Sequence, residues 1–446
     1  MKIYISGISG TGMGPLALMA KKAGIDVYGS DLSKGAIYQE LVDAGIEIFI
    51  GEQDGKFLES KIKDGVEWFV HTSALPENAP ELLVAKKAGI RISKRDNLTE
   101  FLVQKLGLKM VAVAGTHGKT TTTSMIVWAC LQLELPVAYV VGTTLGFASS
   151  GSYKEGDKYF IYEADEYDRN FLKFHPWLSV ITSVSYDHPD IYKTPEEYKE
   201  AFKQFEEQSE WVIKVKQGEI FRTVEEEKDG KVVKVEEPVD SLFASVDFKL
   251  AGEARRIDAT LAALAVSDIQ YDDMTDGGMM EVDMEDPRPK IIRALNGFPG
   301  VGRRFEKLAD GIYTDYAHHP EEIKATMDVA LDQMDIDSKK GVVVVYQPHQ
   351  NTRQHEVQDL YYDAFIGAEK VFWLPTYLTR EDESLPILKP MDFINGLNNA
   401  EVAEPADLND ELWREIKKYR DDGYLVVLMT AGPADTWLRQ KINNFD

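Results

Sequence analysis

The sequence predicts an α/β protein built on mostly parallel sheets and divided into three domains. Three observations carry this. Short β-prone apolar runs alternate with helix-forming stretches, as in sheets whose strands are joined by crossover helices. Two strand-to-helix junctions, near Gly10 and near Gly115, are rich in glycine. The 446 residues exceed what one core supports and suggest two to four domains. The expected divisions are residues 1–107, 108–297 and 298–446.

Composition narrows the function. Apolar residues make up 44% of the chain, enough for substantial cores, and 75 acidic against 50 basic residues leave a net charge of −25. That balance opposes non-specific nucleic-acid binding and suits an enzyme handling small anions in local basic pockets. No apolar run approaches the roughly 18 residues that a membrane span needs, and the chain opens directly on a strand, Lys2 to Ser6. A soluble cytoplasmic protein without nucleic-acid or membrane partners is expected, as a monomer or homodimer. The single cysteine, Cys130, lies in an apolar stretch and reads as a small core residue.

In order along the chain, residues 3–31 read strand, glycine-rich turn, helix, strand, a Rossmann-like opening. Gly10 and Gly12 would let backbone approach a diphosphate. Asp31, ending the second strand, is placed to reach a sugar hydroxyl or a base. Glu67 to Thr72 is a further strand, with Thr72 and Ser73 at its carboxyl end, where ligands of such sheets gather. A helix from Leu82 to Ala88 follows, and the unit closes near Leu106.

The second unit begins at Lys109 with Met110-Val-Ala-Val-Ala-Gly-Thr-His-Gly-Lys-Thr-Thr-Thr-Thr-Ser124. A buried strand that turns through Gly115, Thr116, His117 and Gly118 into a helix points backbone N–H groups into one concavity, and the helix dipole adds positive potential. Lys119 adds a full charge. Thr120, followed by Thr121, offers a hydroxyl to a Mg²⁺ shared with nucleotide phosphates. The strict pattern asks for glycine where Val113 stands, but the mechanics of a P-loop ATPase-like cradle remain. The strand from Tyr159 delivers Glu163, Asp165, Glu166 and Asp168, crowded carboxylates that need solvent or a cation. The run from Leu178 ends in Asp187-His188-Pro189-Asp190. Parallel strands ending on one sheet edge would bring Glu163 and His188 beside Thr120 as Mg²⁺ ligands. Pro195 to Glu210 is helical with Tyr198, Ala201, Phe202 and Phe205 on one face, and Phe221 to Glu236 forms a hairpin turning at Asp229-Gly230. A helix spans Arg256 to Val266, and Tyr271 to Pro289 reads as a long exposed connection.

The third unit, Rossmann-like again, starts near Phe298. Arg303 and Arg304 follow a glycine turn suited to a phosphate contact. Asp315, Tyr316, His318 and His319 converge where a strand meets the helix opened by Pro320, a junction better explained by ligand binding than by packing. The core stripe of that helix is Ile323, Met327, Ala330, Leu331 and Met334. Gly341 to His349 is a buried strand leading to Gln350 and Arg353. A last strand starts at Tyr424, and a terminal helix follows.

The ordered set Gly115-Thr-His-Gly-Lys-Thr-Thr121, Glu163-Ala-Asp-Glu166, Asp187-His188, Gly302-Arg-Arg-Phe305, Tyr313-Thr-Asp-Tyr-Ala-His-His-Pro320 and Gln347-Pro-His349 resembles the Mur ligases of peptidoglycan synthesis over essentially the whole chain. The resemblance implies three domains that bind a UDP-sugar, ATP and an amino acid in turn. Ala-His-His-Pro with Gln-Pro-His and the opening Gly7-x-x-Gly10-x-Gly12-Met13 are similar to the branch that joins L-alanine to UDP-N-acetylmuramate through an acyl phosphate. Carried over, it puts Lys119 on the ATP phosphates, Thr120, Glu163 and His188 around Mg²⁺, and Arg303 and Asp315 on the nucleotide. Tyr316, His318 and Arg353 would line the amino acid, and Gly10, Gly12, Asp31, Thr72 and Ser73 would hold the UDP-sugar.

Three departures stand out. Where the family usually has Gly-x-His-Asn-x-x-Asn near the adenine, this chain reads Gly252-Glu-Ala-Arg-Arg-Ile-Asp258. Thr182-Ser183 replaces the usual Thr-Asn, and Gln350 replaces an arginine common after Pro-His. The alternatives are a ligase recycling murein tripeptide, against which Gln-Pro-His argues, and a non-catalytic UDP-sugar or nucleotide sensor, against which the retained phosphate-site set argues. A nicotinamide-dependent oxidoreductase would leave the second phosphate loop without a role.

Overall fold

The computed structural model describes residues 1–72, 75–188, 191–228, 231–239, 248–276, 286–379, 381–382 and 384–443. Ser73, the expected hairpin turn at Asp229-Gly230, and Pro189 and Asp190 lie outside the described residues.

Three sheets follow one another along the chain. The first holds β1 (Lys2–Ser6), β2 (Asp26–Asp31), β3 (Glu47–Ile50), β4 (Trp68–His71) and β5 (Arg91–Lys94), in the order β3-β2-β1-β4-β5 and wholly parallel. The order reverses direction at β1, so the crevice at its carboxyl end is the natural ligand position of a doubly wound sheet. The second holds β6 (Lys109–Ala114), β7 (Val137–Val140), β8 (Gly151–Ser152), β9 (Tyr159–Glu163), β10 (Leu178–Ile181), β11 (Trp211–Lys216), β12 (Glu219–Lys228) and β13 (Lys231–Pro238). Its order is β13-β12-β11-β10-β6-β9-β7-β8, parallel from β11 to β7 and antiparallel at both ends. β6 sits between β10 and β9, covered on both faces, which is why Met110 to Ala114 are uniformly apolar.

The third sheet holds β14 (Glu306–Ala309), β15 (Ile312–Asp315), β16 (Val342–Gln347), β17 (Ala368–Trp373), β18 (Ala403–Pro405) and β19 (Leu425–Thr430), in the order β14-β15-β19-β16-β17-β18. Only β14 runs antiparallel to its neighbour. Chain contacts gather the described residues into two compact units: residues 1–248 with 258–299, which contain the first two sheets, and residues 249–257 with 300–446. One apolar core of the first unit runs from Ile3 to Val212 and so serves both of its sheets.

The helix expected over Arg256–Val266 is longer. It spans Glu253–Asp276, so the start of the expected exposed connection at Tyr271 is helical. The acidic residues there are anchored: Asp272 accepts from Lys109 Nζ at 2.7 Å and from the Tyr159 hydroxyl, and Asp273 pairs with Lys158 at 2.8 Å. These partners stand at the amino ends of β6 and β9, so they tie the helix to that edge of the sheet.

Candidate active site

In the first unit, β6 ends at Ala114 and the chain turns through Gly115 at φ +137°. A Cβ there would lie 2.2 Å from Thr182 Oγ1 and 2.9 Å from the Ser183 backbone nitrogen, so only glycine fits. The loop is braced by the chain leaving β10. Thr116 N donates to Ser183 O at 3.0 Å, His117 N to Ser183 Oγ at 3.0 Å, and the Thr116 hydroxyl to Ser185 O at 2.7 Å. Gly118, at φ +84°, then caps the helix Lys119–Gln132. That helix directs its first N–H groups and its positive dipole end at the loop, the arrangement that binds phosphate.

Two side-chain clusters sit at this helix start. In one, the Thr120 hydroxyl lies 3.0 and 3.1 Å from the two Glu163 carboxylate oxygens. A hydroxyl and a carboxylate meeting at one point are the oxygen donors that Mg²⁺ takes beside phosphates. In the other, Lys119 Nζ lies 2.9 Å from Glu166 Oε2, and His188 Nε2 lies 3.4 Å from Glu166 Oε1. Glu166 is buried. Burial would raise its carboxyl, but Lys119 and His188 hold it below the usual carboxylate value. Burial alone would likewise lower Lys119 and His188; the surrounding carboxylates, Glu166 foremost, keep both above their ordinary values. The structure thus unites Thr120 with Glu163, while it turns His188 toward Glu166.

Glu166 was legible only as one of four crowded carboxylates, and its cation is Lys119. Asp258, the last residue of the departing segment, accepts from the Thr122 hydroxyl at 3.0 Å and lies 2.7 Å from where a Cβ of Gly118 would stand.

The first glycine loop is fastened to β2. Gly7 and Ile8 donate to Ser30 O at 2.8 and 3.1 Å, and Ser9 N donates to Asp31 Oδ2 at 2.8 Å. Asp31 Oδ1 accepts from Leu32 N at 2.8 Å, so the carboxylate expected on the ligand braces the loop with both oxygens. Gly10 N is used within the loop by Gly7 O, while Thr11 and Gly12 donate their N–H to no acceptor among the described residues. Thr11 and Gly12 border a cavity of about 160 Å³ that Glu163 and Asp165 also line. Thr72 stands beside the same loop, its Cγ2 2.9 Å from where a Cβ of Gly7 would be.

In the second unit, Asp315 ends β15 and accepts from Phe305 N at 2.7 Å, Ala317 N at 2.8 Å and the Thr326 hydroxyl at 3.2 Å. Burial raises its carboxyl, against the pull of Arg304. Arg303, at φ +58°, donates to Thr430 O at 2.8 Å and lies 4.5 Å over the Tyr316 ring. Arg353 Nη1 lies 2.7 Å from His318 Nε2, and His318 Nδ1 lies 3.1 Å from Tyr316 O. Because a guanidinium only donates, Nε2 carries the lone pair and Nδ1 the proton, giving a neutral imidazole. Burial, with Arg353 and Arg304, lowers His318 in agreement, although Glu322 opposes them. Tyr316, His318 and Arg353 are therefore together, while His319 caps the helix Pro320–Ile336. Gly252 N and Arg256 Nη1 donate to Asp332 Oδ2 at 2.9 and 3.0 Å, which fixes the start of the departing segment to that helix.

Residues 2–105 match the Mur ligase family catalytic domain and residues 113–261 the Mur ligase middle domain. A UDP-N-acetylmuramate–L-alanine ligase of Fusobacterium nucleatum is 32% identical over 98% of this chain and 95% of its own length. The chain belongs to the Mur ligase family. Among solved structures, this Mur ligase resembles in fold the UDP-N-acetylmuramate–alanine ligase of Thermotoga maritima, with a TM-score of 0.71, 23% identity, and coverage of 100% of this chain and 99% of that one. The murein peptide ligase of Psychrobacter arcticus also shares the fold, at a TM-score of 0.58 and 20% identity, covering 99% of this chain and 98% of that one. Among the described residues, no helix of this Mur ligase is long and apolar enough to cross a membrane.

Proposed function

We propose that this Mur ligase joins L-alanine to the lactyl carboxylate of UDP-N-acetylmuramate at the expense of ATP. The observation that carries the reading is the glycine-turned helix start that carries Lys119 and sets the Thr120 hydroxyl against Glu163, in a chain 32% identical along nearly its whole length to a ligase of that name. A carboxylate oxygen attacks the γ-phosphorus, ADP leaves, and an acyl phosphate forms. The alanine amine then attacks the acyl carbon, inorganic phosphate leaves, and the amine releases a proton as the amide forms.

Lys119 and the N–H groups of Gly118 to Thr121 bind the phosphates and offset negative charge as the phosphoryl group moves. Thr120 and Glu163, with His188 as the third candidate, would hold Mg²⁺, which would neutralise phosphate charge when bound. Asp315 braces the turn that presents Arg303 to the nucleotide. Arg353 receives the alanine carboxylate, with Tyr316 and His318 beside it.

The test is phosphate release with ATP and Mg²⁺ in reactions given UDP-N-acetylmuramate and L-alanine, L-serine, glycine or a murein tripeptide. Release that requires both UDP-N-acetylmuramate and L-alanine and disappears in Lys119→Ala supports the assignment. Release with the tripeptide alone identifies a recycling ligase. The absence of turnover with every acceptor, despite binding of the sugar nucleotide, identifies a sensor.

A further inference from the structure

We infer that Arg95 binds and orients the carboxylate of the sugar nucleotide that is to be phosphorylated. The inference rests on the function proposed above and adds a residue that neither the phosphate loop nor the two metal-facing side chains supplies. Arg95 opens the helix Arg95–Leu106 directly after β5 and lines the cavity that Thr11 and Gly12 border. Glu163 lines the same cavity and touches the Thr120 hydroxyl, so the cavity adjoins the corner where the γ-phosphate would sit. An acid placed here faces Glu163 and Asp165, two carboxylates that repel it. Arg95 is the one cation among the residues lining the cavity.

The guanidinium is poised for this role. Among the described residues its hydrogen bond is a long one, Nε to Asp96 Oδ1 at 3.4 Å, and Asp96 is also held by Lys173 at 3.1 Å. The nearest other anion, Asp165 Oδ2, stands 3.8 Å from Nη2, beyond hydrogen-bond reach. The Nη1 and Nη2 fork therefore remains able to grip a carboxylate through two parallel bonds, which fixes orientation as well as charge. Gly12 makes room for it, since a Cβ there would lie 3.0 Å from Nη1. The Tyr162 hydroxyl is buried, and its residue lines the same cavity, so it can add a donor beside the bound acid. A carboxylate held this way presents one oxygen to the phosphoryl group in a reactive orientation.

The experiment compares equilibrium binding of UDP-N-acetylmuramate and UDP-N-acetylglucosamine, which lacks the lactyl acid, without ATP. It uses the wild-type chain, Arg95→Met and Arg95→Lys. The wild type should prefer the muramate by about tenfold or more. Arg95→Met should abolish that preference while binding of UDP-N-acetylglucosamine stays within roughly twofold. Arg95→Lys, which keeps the charge and loses the fork, should retain part of the preference and carries the test if the methionine variant fails to fold. An unchanged preference in both variants overturns the inference. Equal loss for both ligands also overturns it, because the guanidinium would then serve the diphosphate or the fold. A wild-type chain that binds neither ligand overturns the functional reading itself.

Discussion

Glu166 illustrates how one residue can matter without being singled out by its motif. Four carboxylates leave the end of β9 within six positions, and nothing local distinguishes Glu163, which meets Thr120, from Glu166, which meets Lys119 and His188. The distinction comes from strand ends brought together in the fold. Replacing Glu166 by glutamine removes the only one of these carboxylates that is within salt-bridge reach of both cations. Breaking a buried pair by removing one partner costs on the order of 3 kcal/mol, and the Glu166 side chain is 2% exposed, so a loss of that order is expected without ligand. With saturating ADP the deficit should shrink, because phosphate replaces the lost anion beside Lys119. Thermal melts with and without ADP check this; an equal deficit in both would mean that phosphate never reaches Lys119. Asp31 gives the complementary lesson. Its position at the end of β2 was legible, but its use in holding Ser9 and Leu32 depends on the path of the glycine loop, which spacing does not encode.

At the scale of elements, strands and helices with one strong signal were legible. Buried β6 reads as an unbroken apolar run, and the helix Pro195–Gln208 buries the face of Tyr198, Ala201, Phe202 and Phe205 that its spacing predicts. The continuation of the helix Glu253–Asp276 was not legible, since its acidic end is stabilised by Lys109, Lys158 and Tyr159, all more than a hundred residues away. The β12–β13 hairpin is held in a similar way. Lys214 on β11 lies 2.6 Å from Glu206 on the preceding helix and 2.5 Å from Glu236 on β13. Burial would lower Lys214, but the two carboxylates raise it above its ordinary 10.5, and the Lys214 hydrogen bond lowers Glu236 below 4.5. The lysine contribution is complete below 10.5 and is lost as pH rises through the higher folded value. The glutamate contribution is present above 4.5 and is lost as pH falls through the lower folded value. Lys214→Met should therefore destabilise near neutral pH by about 1 kcal/mol, discounted because Glu236 is partly exposed. The difference from wild type should narrow toward about pH 3. Melting curves at the two pH values decide it, and a constant difference would assign the loss to packing of the lysine stem.

At the scale of the whole molecule, the number of sheets and the number of cooperative units differ. The sequence divides into three glycine- or arginine-marked βα segments, yet the core that contains Ile3 also contains Met110, Phe160 and Phe205, so the first two sheets share one apolar interior. The second unit's two cores, one built around Val344 and Trp373 and the other around Val345 and Leu428, lie on opposite faces of one sheet, and alternate residues of β16 belong to each, so they are lost together. Cooperative unfolding follows shared cores, because residues that lose the same packing partners lose stability together. Calorimetry of the full chain should resolve two transitions, with a total enthalpy above the van't Hoff value of either. The proposed sugar-nucleotide residues and the phosphate loop all lie in the first unit. UDP-N-acetylmuramate at a hundred times its dissociation constant should stabilise that unit by about 2.7 kcal/mol and raise its transition by roughly 5 °C, leaving the other in place. A single transition whose calorimetric and van't Hoff enthalpies agree would show that the units unfold together, and a ligand shift confined to the other transition would place the sugar nucleotide on the wrong unit.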